Sequence, residues 1–277
     1  MRILIRTSRW AIWARWLGGL ALPLLVIPIL LHRERLIVGD VFLATMAAAA
    51  VVALLAVLMG LFALGRLWQS GDQGWTKALI GLFLGLLCLV PFGYYGRLAL
   101  QYPAVTDIAT ADRALMPLVF EPGTADMPPP KMLNAVELAA EFPNVETRSY
   151  PLGQSQTFEL VKSMVEERGW AVRLLRAPDG VGGAGQINAQ AVTIPGWREE
   201  VVLRVTGTLD NASVDMRSAS LNARHDLGSN GLRVEEFLVA LDDAVTRLLR
   251  DNPNANQPVE LDPAPAPEVQ TSPLSEG

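Results

Sequence analysis

The sequence predicts an α+β protein: three membrane-spanning helices, then a small domain in which a four-stranded antiparallel sheet packs against two helices. Three observations predict it. Charge vanishes from three long runs within the first hundred residues. Four short strand-like stretches then follow one another, separated by turn residues. Helical periodicity brackets those strands on both sides.

The uncharged runs are 16–32, 41–65 and 78–96, of 17, 25 and 19 residues. At ~1.5 Å rise per residue they give helices of about 25, 37 and 28 Å, against a hydrocarbon core of ~30 Å. The second has length to spare for tilt. The first is the shortest and contains Pro23 and Pro28, each of which removes a backbone donor and disfavours a straight helix. It reads as a span or as a re-entrant segment. A cleaved signal peptide is disfavoured, because no A-x-A site follows. Trp10, Trp13 and Trp16 ahead of it suit an interfacial aromatic belt.

Orientation follows from the basic residues. With the N-terminus inside, Arg2, Arg6, Arg9, Arg15, Arg66 and Lys77 face the cytoplasm, and Arg33, Arg35 and Arg97 face out. Six against three favours that arrangement, and three crossings then put the following domain outside. If the first run only dips into the bilayer, the relation reverses.

Charge divides the chain at the same place. Residues 1–97 carry nine basic and three acidic side chains, net +6; the remaining 14 basic and 25 acidic give residues 98–277 a net −11. So acidic a head repels nucleic acid and anionic lipid head groups, and nucleic acid is set aside as a partner. The single cysteine, Cys88, lies in the third run, so the head has neither disulfides nor a thiol nucleophile. Gly81 and Gly85 form a G-x-x-x-G in that run, read as packing among the chain's own helices before homodimerisation.

The chain therefore divides into an anchor (1–98), a Pro-rich extended strap (99–150), the α+β domain (151–250) and a disordered tail (251–277). Within the strap only Lys131–Glu141 reads as a helix, stopped by Phe142-Pro143. The domain opens on a helix with Phe158, Val161 and Val165 on one face, capped by Ser155 and ended by Gly169. The strands are 170–177, 186–194, 200–206 and 212–220, with turn chemistry at Pro178-Asp179-Gly180 and Asp210-Asn211. The last helix, 231–250, stripes Val234, Phe237, Leu238, Leu241, Val245 and Leu248 along one side. Alternation sends Trp170, Val172, Leu174, Val201, Leu203, Val205, Val214 and Met216 to the core. Arg173, Arg204, Asp215 and Arg217 fall on the far face, wet or covered by the strap.

Recognisable chemistry is sparse. Gly180-Val-Gly-Gly-Ala-Gly185 spells G-x-G-x-x-G, but no helical pattern follows to receive a pyrophosphate, so it reads as a hairpin loop. With one histidine and no cysteine in the head, no familiar triad or zinc set assembles, and neither metal nor cofactor is expected. His225-Asp226 and Asp107 with Asp112 are the remaining acid/base candidates; both read first as polar turns.

The densest polar constellation is Asp215, Arg217, Ser218 and Ser220, followed by Asp226, Leu227, Gly228 and Asn230 and a helix with Arg233 and Phe237. On these residues the chain resembles the family catalogued as domain of unknown function 1499, uncharacterised bacterial proteins of which many are membrane-anchored. Phe142-Pro143-Asn144 and Gly169-Trp170 extend the likeness, which covers roughly 103–245. A fainter motif is Asp107-Ile-Ala-Thr110, which lacks the family's second Thr and following Asp. The resemblance implies a shared fold and an envelope setting and supplies no activity; with the orientation read from the basic residues, it puts the anchor in a bacterial inner membrane and the head on the periplasmic side.

Two physical readings of the constellation stay open. In the structural one, Asp226 or Asn230 satisfies free N–H groups at the last helix, Gly228 permits tight entry, and Arg217 pairs with Asp215 or Asp226. In the functional one, Arg217, Arg224 and Arg233 converge near that helix N-terminus with Asp215, Asp226 and Asn230, to bind a carboxylate or phosphate. The leading expectation is a non-catalytic envelope module binding an anionic small molecule, lipid head group or protein partner. The alternatives are a hydrolase or transferase using Asp215, Asp226 or His225, and a structural subunit of a membrane complex.

Overall fold

The computed structural model describes residues 6–119, 129–180 and 183–252. Helices α1 (Arg9–Arg33), α2 (Gly39–Ser70) and α3 (Trp75–Gln101) are each long and apolar enough to cross a membrane. Helix α1 runs unbroken through Pro23 and Pro28. A proline is tolerated in a packed bundle where neighbours re-satisfy the freed backbone groups. The bundle closes on small residues. A Cβ on Gly81 would lie 2.3 Å from the Ala14 carbonyl carbon of α1, and one on Gly85 2.9 Å from the Ala53 oxygen of α2. The G-x-x-x-G therefore serves contacts within the chain.

The head is one antiparallel sheet with helices on one face. Strands β1 (Asp107–Ala109) and β2 (Arg148–Tyr150) come from the strap, and β3 (Ala171–Arg176), β4 (Gly185–Val192), β5 (Arg198–Gly207) and β6 (Ala212–Ser220) from the domain. Their order is β1-β6-β5-β4-β3, with β2 also on β6. The sheet thus has six strands where the sequence predicts four. The two added strands are three residues each, too short for alternation to announce them. They divide one edge of β6, β1 pairing with Arg217–Ala219 and β2 with Ala212–Val214. Thr110 bridges the gap between them: its N–H donates to the Met216 carbonyl at 2.9 Å and its Oγ1 accepts from the Met216 N–H at 3.0 Å.

Helices α4 (Ala135–Glu141), α5 (Gln154–Glu167) and α6 (Ser229–Asp251) complete the head. Helix α4 begins later than predicted, because Asn134 and Glu137 form a reciprocal capping box there. Helix α5 is capped by Gly153 and not by Ser155, while Gly169 takes the expected left-handed conformation after its end (φ +65°). Phe158, Val161, Val165, Phe237, Leu238 and Leu241 meet Ile187, Val201, Leu203, Val205, Val214 and Met216 in one core. Edge strand β3 departs from the expected alternation: Val172 is exposed and a register shift falls between it and Leu174, so neither joins the core. The Gly-rich loop joins β3 to antiparallel β4, as a hairpin does; its residues 181–182 are outside the described set. So is the predicted tail beyond Asn252.

Head and anchor touch where α1 ends and α2 begins. The Trp197 ring meets His32 and Phe42 edge-on at 4.8 and 5.8 Å between centroids. His32 Nδ1 lies 2.8 Å from the Pro195 carbonyl oxygen. Arg33 donates to the Thr193 and Ile194 carbonyls, and Arg198 donates back to the Arg33 carbonyl. The β4–β5 turn is thereby clasped to the top of the bundle.

Candidate functional site

Strand β6 carries the constellation, and its pleat sorts the residues onto two faces. Val214, Met216, Ser218 and Ser220 point to the helices, and Asp215, Arg217 and Ala219 to the opposite side. Arg217 and Arg233 consequently lie on opposite faces of the sheet. The expected convergence of Arg217, Arg224 and Arg233 does not occur.

On the helix-free face the centre is a bidentate pair. Arg217 Nε and Nη2 donate to the two oxygens of Asp107 at 3.1 and 2.7 Å, and Nη1 donates to the Met116 carbonyl at 2.8 Å. Asp107 is 1% exposed and also faces Arg113 Nε at 3.2 Å. Arg217 therefore pairs with Asp107, not with Asp215 or Asp226. The reason is register: Asp107 stands opposite Ala219 on β1, one diagonal step from Arg217 on the same face. Asp112 does not pair with Asp107; its side chain accepts from the Ala114 N–H and caps a 3-10 turn at Arg113–Leu115. That turn brings Met116 onto Val202 and Ala109, so the strap covers this part of the far face. Asp215 accepts from Thr147 Oγ1 at 2.6 Å and faces Arg204 at 3.4 Å. Farther along, Glu200 accepts from the Val119 N–H and from Asn188 Nδ2 at 2.5 and 2.8 Å. Burial raises the proton affinity of its carboxyl, against the pull of those donors.

On the helix face the network gathers at the first turn of α6. Asn230 accepts from Ser218 Oγ at 2.7 Å and donates to Ser220 Oγ at 2.9 Å. Arg233 lies 2.5 Å from Glu199 and donates to Ser218 at 3.0 Å. Glu199, 1% exposed, also accepts from the Ser220 and Ser229 hydroxyls. Asp226 accepts from the Gly228 and Asn230 N–H groups at 3.0 and 3.3 Å, capping the helix entry. Burial raises its proton affinity too. Gly228 sits at φ +82°, and a Cβ there would lie 2.6 Å from the Tyr102 ring. Only glycine fits.

The remaining candidates stand apart. Arg224 is exposed, with its carbonyl accepting from Lys131 Nζ at 3.3 Å. His225 Nδ1 accepts from the Leu227 N–H at 3.0 Å and lies 3.9 Å from the Asp226 carboxylate, within a turn. Among the described residues no group of three or more His, Cys, Asp or Glu could hold a metal ion. Sequence reasoning passed over Glu199 and Glu200. The available signal was two consecutive carboxylates opening the apolar strand Val201-Val-Leu203, where each must find a buried partner on its own face.

A family model described as "Protein of unknown function (DUF1499)" matches residues 124–241. The match spans α4 to most of α6 and begins after Asp107-Ile-Ala-Thr110. No curated protein and no solved structure matches the chain.

Proposed function

We propose that this chain, a member of the DUF1499 family through its soluble domain, is a membrane-anchored, non-catalytic binding or interaction module of the bacterial envelope. The observation that carries the reading is the complete internal engagement of Arg217. Each of its guanidinium nitrogens donates to a protein oxygen, and its carboxylate partner is buried. A guanidinium whose carboxylate-binding edge is held by a buried partner in this way builds the fold before it serves a ligand. Asp226 is likewise spent on a helix entry. The residues that identify the family thus hold the sheet, its strap and α6 together, and recognition falls to the surface.

We assign the N-terminus to the cytoplasm and the head to the periplasmic side of the inner membrane. The unbroken α1 supports an odd number of crossings. The basic residues supply the direction.

Native mass spectrometry of the full-length protein, gently extracted from its own membrane, tests the function. A stoichiometric protein companion or a retained anionic small molecule is the expected result, and it is lost in surface variants of the head that leave Arg217 and the fold intact. Turnover of a screened ester or phosphoester, abolished by Asp226→Asn in a protein that stays folded, overturns the reading in favour of a hydrolase.

A further inference from the structure

We infer that the junction between anchor and head is a binding collar for the phosphate of anionic lipid head groups, built from Arg33, Arg35, Arg173 and Arg198. It rests on the three helices crossing a bilayer, but not on which side the head faces, nor on whether the head is an enzyme.

The first observation is position. Arg33 closes α1 and Arg35 follows two residues later, so both stand at the level where the apolar span ends and lipid phosphates begin. The head brings two more arginines to that level. Arg35 Nη2 and Arg173 Nη2 donate to the same acceptor, Gln190 Oε1, at 3.3 and 2.8 Å. Arg198 Nη2 donates to the Arg33 carbonyl at 3.0 Å. Four guanidinium groups are thus gathered from α1, the α1–α2 loop, β3 and β5. Arg33, Arg35 and Arg173 are exposed.

The second observation is charge. Residues 98–277 carry a net −11, yet Arg173 shares Gln190 with Arg35 and Arg198 reaches the end of α1. Glu34 lies in the α1–α2 connection and Asp40 in the first turn of α2, and both are exposed. A collar of this kind offsets the repulsion between an acidic head and an anionic surface.

The third is exposed apolar mass between the arginines. Leu36 and Val38 are each 69% exposed and Ile194, at the tip of the clasped β4–β5 turn, 78%. Side chains of this type beside arginines at a span boundary suit the zone between acyl chain and head group.

Finally, Arg35 holds a backbone conformation that glycine would favour. Its φ is +63°, and the Leu36 N–H donates back to the Leu31 carbonyl, closing the helix in a left-handed turn. A bulky cation at that position is explained if its side chain is needed where the turn aims it.

The test uses full-length protein in vesicles of phosphatidylcholine with or without phosphatidylglycerol, with lipids retained on release counted by native mass spectrometry. Phosphatidylglycerol is expected to be retained in preference, with the preference falling about fivefold for each arginine removed in Arg35→Ala and Arg173→Ala. Arg35→Gly relieves the strained turn, so its fold is preserved; it too is expected to lose the preference. Arg66→Ala, at the other end of the bundle, is expected to keep it. Equal retention of both lipids overturns the proposal, as does full preference in a folded Arg35→Gly, Arg173→Ala double variant. Displacement by inorganic phosphate would also overturn it, by making this a soluble-anion site.

Discussion

The anchor and the head of this chain are packed inside out relative to one another. The bundle buries Ala11, Ala14, Ala21, Ala49, Ala53, Ala56, Ala63 and Ala78 and exposes leucine, valine, phenylalanine and tryptophan. The head buries Phe142, Phe237, Leu203, Leu238 and Leu241. The difference is one of solvent. Lipid tails are as apolar as leucine, so burying a large side chain in the bundle gains little, and close backbone approach through small residues holds the helices. In water, removing a large apolar side chain from solvent is the main driving force. Charge follows the same rule: the spans exclude it, while the head can bury Asp107 and Glu199 because each meets an arginine.

The largest expected effect breaks the head where it buries charge. Arg217→Ala leaves Asp107 without its bidentate partner and should cost about 3 kcal/mol, the low end for a broken buried pair because Arg113 still faces that carboxylate. Thermal melting of the full-length protein in detergent, followed by a head-specific probe, checks it. Removing both partners together in Asp107→Leu, Arg217→Met should cost less than Arg217→Ala alone. A larger loss in the double variant would mean that the pair does more than neutralise itself.

The matching break in the anchor is Gly81→Ala. The added methyl would meet the Ala14 backbone, which has no side-chain freedom to yield, so the helices must part; overpacking of this kind costs about 1–3 kcal/mol. It should loosen the bundle and leave the head's own transition in place. A single transition lowered in both parts would show that the Trp197 clasp makes anchor and head one cooperative unit.

Legibility in the sequence divides along the same line. The spans were legible because exclusion of charge from lipid is a strong, local rule, and α1, α2 and α3 cover all three uncharged runs. The four longer strands and α6 were legible because their periodicity runs over eight or more residues in most cases. Strands β1 and β2 were not, since three residues carry no period and their pairing depends on a strap whose path is set by the far face of β6. In the site, the pleat placed Asp215 and Arg217 together on the far face from sequence alone. What it could not give was the partner. Asp107 lies 110 residues away in sequence from Arg217 and meets it only through the added strand. Nor does sequence separate arginines that are close along the chain but on opposite faces, which is why Arg217 and Arg233 were expected to converge.

A smaller effect sharpens the contrast through pH. The Glu200 carboxyl binds its proton more tightly folded than unfolded, because burial penalises the charge. That contribution to stability is full below the ordinary value of 4.5 and is lost as pH rises through the higher folded value. Glu200→Gln keeps a carbonyl oxygen for the Val119 and Asn188 donors and removes the charge. Its melting temperature relative to the parent should therefore rise between acid and neutral pH. A constant difference across that range would place the carboxylate in contact with solvent.

The smallest effect tests whether the bundle's outer face is also a contact. A Cβ on Gly65 of α2 meets nothing within 4 Å, whereas one on Gly81 meets backbone. If lipid alone covers the outer face, Gly65→Ala changes bundle stability by no more than about 0.5 kcal/mol, the scale of a neutral surface substitution. The measurement is the detergent-induced unfolding of Gly65→Ala beside Gly81→Ala, with molecular mass followed by light scattering. A loss in Gly65→Ala comparable to that in Gly81→Ala, accompanied by a fall in mass, would mean that a second copy packs against α2. Small residues would then serve two purposes in one bundle: inward ones closing the three helices on each other, and outward ones joining bundles. An unchanged mass with an unchanged stability leaves the inward contacts as the whole account of why this anchor is so rich in alanine and glycine.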